Sequence, residues 1–71
     1  MLIAEVRDRA ISSDVCWLTL EYDDRTDGWF LYGHRKLNEP SEFDSWHQSR
    51  EEALREANEQ WGVGACDWHL K

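Results

Sequence analysis

The chain has one proline, four glycines and two cysteines among 71 residues, and 8 basic residues against 15 acidic ones. Each scarcity excludes something. Cys16 and Cys66 are widely spaced and imply no disulfide framework of the kind a small secreted domain carries, although one bridge between them stays open. They read as thiols acting as small hydrophobes, with Cys16 expected on a buried sheet face. The glycines are scattered, and Gly28, Gly33, Gly62 and Gly64 each fit a turn, a close strand contact or a helix cap. There is no glycine-rich phosphate loop and no strained nucleophile turn. His34, His47 and His69 never stand at a spacing that gathers them with cysteine on one metal. No cofactor and no metal site are therefore expected.

Long apolar runs are also missing. "MLIAEVRDRA" has neither a basic n-region nor an extended hydrophobic stretch, so the reading predicts no signal peptide, no membrane span and a cytoplasmic location. Basic patches are absent too. The net charge of −7 falls evenly, as −2, −3 and −2 over residues 1–22, 23–49 and 50–71. Such a field opposes binding to phosphate backbones, which argues against nucleic acid and would attract a basic protein. The ordinary role of that charge is to keep a small protein in solution.

What the chain does have is aromatic bulk: five tryptophans, two phenylalanines and two tyrosines. At this length a single domain, residues 1–71, must build its core from few side chains, and each aromatic can bury about 150–250 Å². One thin core follows, with little room for a deep catalytic cleft.

The pattern predicts an α+β fold, an antiparallel meander of three to four strands with one C-terminal helix packed on one face. Strands are expected over residues 2–11, 15–23 and 29–37, with "FDSWH" as a short fourth and "ACDWHLK" as a short final strand or ordered tail. If Asp23 pairs with Gly28, then Tyr22 faces Trp29, Leu20 faces Leu31 and Leu18 faces Gly33. A three-residue loop over Ser12–Asp14 would set Val6 opposite Leu20, Ala10 opposite Cys16 and Arg9 opposite Trp17. One face then gathers Leu2, Ala4, Val6, Cys16, Leu18, Leu20, Tyr22, Trp29 and Leu31. A two-residue loop would bury Arg7 and Arg9 instead, which their charge forbids.

The other face carries Ile3, Arg7, Arg9, Trp17, Thr19, Phe30, Tyr32 and His34. Its blandest account is that cross-strand aromatic and cation–π pairs stiffen a half-exposed sheet. Its functional account is a binding surface or homodimer face built on Trp17, Phe30, Tyr32, His34 and Arg9.

Residues 50–61 read as a helix with both ends written into them. Ser49 and Glu52 fit a capping box, and Gly62 with Val63 fits a Schellman ending. Ala53, Leu54, Ala57 and Trp61 share one side, with Glu52, Arg55, Glu56 and Glu59 opposite. "EFD" at 42–44, beside Trp46 and His47, is the one place where acid–base chemistry would fit, although a solvated strand end explains it as well.

The run W-H-x-S-x-E-E-A-x-x-x-A-x-x-x-W-G-V, from Trp46 and His47 through Ser49, Glu51, Glu52, Ala53 and Ala57 to Trp61, Gly62 and Val63, resembles a pattern in small uncharacterised bacterial proteins. In these an acidic, strand-rich first half precedes such a helix. Some similar ones are immunity-type proteins, which neutralise a toxin domain by covering it. The resemblance implies a non-enzymatic, acidic protein-binding module and carries over no catalytic residue. The other readings are a small enzyme or ligand-binding protein using residues near Trp46 and His47, and a homodimer through the aromatic face.

Overall fold

The computed structural model describes residues 1–6 and 15–70. Among these residues five strands form one antiparallel sheet: β1 (Leu2–Glu5), β2 (Trp17–Asp23), β3 (Gly28–His34), β4 (Phe43–His47) and β5 (His69–Leu70), in the order β4-β3-β2-β1-β5. Helix α1 (Arg50–Trp61) and a 3₁₀ turn (Ala65–Asp67) lead the chain from the β4 edge to the opposite edge at β5. The class is α+β as expected, with five strands in place of three to four. The short fifth strand joins the far side of β1, where Leu2 faces Leu70 and Ile3 faces His69.

The β2–β3 hairpin has the register that its turn dictates, with Asp23 opposite Gly28, Tyr22 opposite Trp29, Leu20 opposite Leu31 and Leu18 opposite Gly33. The Asp23 carboxylate organises the turn, accepting from the Arg25 amide at 3.4 Å and from the Thr26 hydroxyl at 2.8 Å. Asp27 takes a positive φ of 52°, a conformation that aspartate tolerates better than most residues.

The β1–β2 register differs from the expected one. Leu2, not Val6, lies opposite Leu20, and Glu5, not Arg9, lies opposite Trp17. Beyond Glu5 the Val6 amide donates to the Cys16 carbonyl at 2.9 Å, and the expected Ala10–Cys16 pair involves a residue outside those described. The physical reason is that alternation has a period of two. It fixes which side each residue faces, and a shift of four residues leaves every side unchanged. The loop at Ser12–Asp14, together with Arg7, Arg9 and Ala10, lies outside the described residues.

The core sits on the helix side of the sheet. Ala4, Val6, Leu18, Leu20 and Leu31 are buried against Ala53, Ala57 and Trp61 of α1, with Val15 and Val63 completing the cluster. The helix lies against β3 and β4. Its two buried alanines allow close approach, and Trp61, only 4% exposed, meets Phe43 edge-on with ring centroids 5.0 Å apart. Leu54, Leu2, Trp29 and Trp68 border this core half-buried. Of the residues expected on the buried face, Cys16 is half-buried like Leu2 and Trp29, and Tyr22 is 52% exposed.

Both helix ends follow the sequence signals. Ser49 Oγ accepts from the Glu52 amide at 3.2 Å, while the Glu52 carboxylate reaches back one residue further than a capping box requires, to the Gln48 amide at 3.3 Å. Gly62 has φ 68°, the left-handed conformation that glycine adopts without a Cβ penalty. Its amide closes on the Asn58 carbonyl, and the Val63 amide then reaches the Ala57 carbonyl, one residue beyond the Schellman partner.

Candidate functional site: the open sheet face

Side chains of opposite parity to the core fill the face that α1 leaves open. Along β3 they form a ladder: Phe30 and Tyr32 stack at 5.7 Å and 14° between ring planes, and His34 tilts beyond Tyr32 at 6.4 Å. Trp17 sits opposite His34 on β2. Of the expected site residues, the fold thus brings Trp17, Phe30, Tyr32 and His34 to one face. Arg9 lies outside the described residues.

Sequence reasoning missed Trp46 as part of this surface. It faces Phe30 across the β3–β4 ladder and is 46% exposed. Its indole lies flat over Gly28, where a Cβ would collide with the ring, and its Nε1–H donates to Thr26 Oγ1 at 3.0 Å. The alternation of Phe43, Ser45 and His47 with Asp44 and Trp46 held the signal, because each half of it must face one side.

Carboxylates surround the aromatics. Asp44 lies opposite Tyr32, Glu21 opposite Phe30 and Glu5 opposite Trp17. No lysine or arginine occupies a described strand position of this face. The Tyr32 hydroxyl feels the arrangement: its pKa is raised above the ordinary tyrosine value, first by partial burial and then by Glu21, Asp44 and Asp23. Each of these disfavours the phenolate.

His34 fixes one border of the surface. Its Nδ1 lies 3.2 Å from the Glu39 carbonyl and its Nε2 3.0 Å from Thr19 Oγ1. A carbonyl only accepts, so Nδ1–H donates to it. In the neutral ring Nε2 then accepts the Thr19 hydroxyl, which satisfies a threonine only 6% exposed. The bond to Glu39 holds the 35–42 loop at the edge of the sheet. The Glu42 amide bonded to the Gly33 carbonyl and an Arg35–Glu42 ion pair at 3.2 Å hold it too. Between this loop and β1 opens a groove of about 280 Å³, lined by Ile3, Thr19, Glu21, Tyr32, His34 and Leu37 among others. A smaller hollow of about 170 Å³ lies beside Trp17, Glu5 and His69.

The second candidate, near Trp46 and His47, resolves into a different structure. Ser45, His47 and Glu56 converge: Glu56 Oε2 stands 2.6 Å from His47 Nε2 and 2.7 Å from Ser45 Oγ, and these two are 2.8 Å apart. A nucleophile–base pair needs the imidazole between serine and acid, with the acid on the far nitrogen. Here the same nitrogen and the hydroxyl both meet one carboxylate oxygen, which is a different arrangement from that relay. The cluster ties β4 to α1, and Gln60 Nε2–H bonds the other Glu56 oxygen at 2.9 Å. "EFD" does not gather its carboxylates either: Glu42 pairs with Arg35 while Asp44 faces outward on the strand.

Among the described residues no group of three or more His, Cys, Asp or Glu is placed to hold a metal ion, and no helix is long and apolar enough to cross a membrane. No protein-family model, curated protein or solved structure matches the chain.

Proposed function

We propose that this chain is a non-enzymatic, cytoplasmic protein-binding module that meets a basic partner through the sheet face its helix leaves open. One observation carries the reading: Trp17, Phe30, Tyr32 and Trp46 share a face on which Glu5, Glu21 and Asp44 are the charged strand neighbours. Aromatics on a rigid sheet supply contact area at low entropic cost, and truncating such anchors commonly costs about 2 kcal/mol or more of binding. The carboxylates favour encounter with a cationic surface and repel an acidic one. The immunity-type resemblance agrees in kind, since such proteins act by covering another protein. Its motif residues belong to the capped helix, so it bears on the fold more than on this surface.

A homodimer through the same face is the weaker reading. A two-fold interface sets a patch against its own copy, and here that brings like carboxylates together on two chains of net charge −7.

The test is a binding series on both sides of the molecule against a partner captured from the native host. Trp17→Ala and Tyr32→Ala should weaken binding about tenfold or more, and Glu21→Gln should mainly slow association. The helix-side variant Glu51→Gln should leave affinity unchanged. A partner that binds the Trp17 and Tyr32 variants as tightly as the parent chain removes this face from the account.

A further inference from the structure

The groove between the sheet and the 35–42 loop has features that the open face as a whole lacks. Its volume of about 280 Å³ falls just under the roughly 300–1,000 Å³ typical of sites for whole small molecules. One inserted side chain suits it better than a cofactor. Its walls divide by chemistry, with Met1, Ile3 and Leu37 apolar, Tyr32 presenting a ring, Ser41 a hydroxyl, and Glu21 the one carboxylate in the lining. The loop wall does not depend on an occupant, because His34 already holds it through the Glu39 carbonyl. The Thr19 hydroxyl and the His34 ring nitrogens are already bonded to each other and to that loop. Of the other polar side chains in the lining, Ser41 and Tyr32 carry hydroxyls and Glu21 carries the one formal charge.

From this geometry we infer that the groove receives a single arginine side chain of the partner, its methylene stem against Ile3 and Leu37 and its guanidinium between the Tyr32 ring and the Glu21 carboxylate. The inference rests on the proposed protein-binding reading and names the residue that the surface selects. Arginine suits the site better than lysine for two reasons. Its planar head stacks on an aromatic ring while it bonds a carboxylate, and it loses less hydration than an ammonium on leaving water. The Tyr32 pKa is raised first by burial and then by Glu21, Asp44 and Asp23, and those three carboxylates are the part of its surroundings that would hold a cation beside the ring. A phosphate or carboxylate would meet it with the wrong sign.

The experiment is an amide NMR titration of the intact chain with three capped tripeptides: acetyl-Gly-Arg-Gly-amide and its lysine and glutamate counterparts. The arginine peptide should shift the Ile3, Thr19, Glu21 and Tyr32 amides saturably, with Kd in the range of about 1–10 mM expected of one side chain. The lysine peptide should bind about threefold or more weakly, and the glutamate peptide should not saturate. Glu21→Gln should weaken the arginine peptide about threefold to tenfold, while Glu51→Gln, exposed on the helix side and away from the groove, should leave it unchanged. Absence of saturable shifts, equal response to the glutamate peptide, or unchanged affinity in Glu21→Gln each overturns the inference. Failure of the broader reading looks different. If the groove inference alone is wrong, Trp17→Ala still weakens the partner while the arginine peptide fails to bind. If the face is not the partner's surface, the partner ignores Trp17→Ala whatever the peptide does.

Discussion

Replacing Trp61 with alanine removes the largest side chain of the helix's buried side. The indole is 4% exposed, packs edge-on against Phe43, and closes the core at the end of α1. Large-to-small changes of this kind cost about 3–5 kcal/mol, the lost transfer energy plus the cavity left behind. A domain of this length has on the order of 4–11 kcal/mol to lose, at roughly 0.05–0.15 per residue. The substitution should therefore remove about a quarter or more of the stability. At about 4–8 °C per kcal/mol for a domain this small, Tm should fall by about 12–40 °C. Trp61→Phe, which keeps an aromatic ring against Phe43, should lie between parent and alanine variant. Urea unfolding followed by far-ultraviolet circular dichroism is the suitable assay, because five tryptophans blur a fluorescence signal. Glu51→Gln, exposed at the start of α1, is the control and should cost about 1 kcal/mol or less. Should Trp61→Ala melt within a few degrees of the parent chain, the helix does not hold the sheet through this residue and the core described above is misplaced.

Three further outcomes follow from the same structure. Gly62→Ala forces a side chain into the left-handed conformation and should destabilise by about 1–2 kcal/mol in the same unfolding assay. Glu56→Ala strips the acceptor from Ser45 and His47, and should cost about 1–3 kcal/mol while leaving partner binding on the opposite face intact; loss of binding at unchanged stability would revive a site near His47. Tyr32 holds its proton more tightly in the folded chain than in the unfolded one, so its contribution is complete below the ordinary tyrosine pKa of about 10 and is lost as pH rises through the raised folded value. Stability measured from about pH 9 to about 12, a window that contains the ordinary tyrosine pKa of about 10, should thus fall less steeply in Tyr32→Phe than in the parent, and equal slopes would contradict the buried, acidic environment assigned to that ring.

The helix was the most legible part of the chain because its signals are local. Ser49, Glu52 and Gly62 act within one turn, and the spacing of Ala53, Ala57 and Trp61 has a single explanation. The β2–β3 hairpin was legible for the same reason: a short turn joins Asp23 to Gly28 and fixes every pair behind it. The β1–β2 register was not. Alternation settles sides but is blind to even shifts, and nothing near Ser12–Asp14 in the sequence outweighs the distant packing of Ala4 and Val6 or the β5 pairing at Leu2. Of the site, the shared face of Trp17, Phe30, Tyr32 and His34 could be read from parity alone. The Ser45–His47–Glu56 tie and the groove wall could not, because each joins elements whose relative placement depends on the finished core. Trp46 was within reach of the same parity argument once β4 was granted as a strand.

The central claim is that the open aromatic face, and not the helix, is the binding surface. Oxidative footprinting of the tryptophans in the free and partner-bound chain tests it most directly. In the free protein Trp46 should label readily and Trp61 slowly, in keeping with 46% and 4% exposure. On binding, Trp17 and Trp46 should become protected while Trp61 keeps its slow rate. Unchanged labelling of Trp17 and Trp46 in a saturated complex would contradict the account.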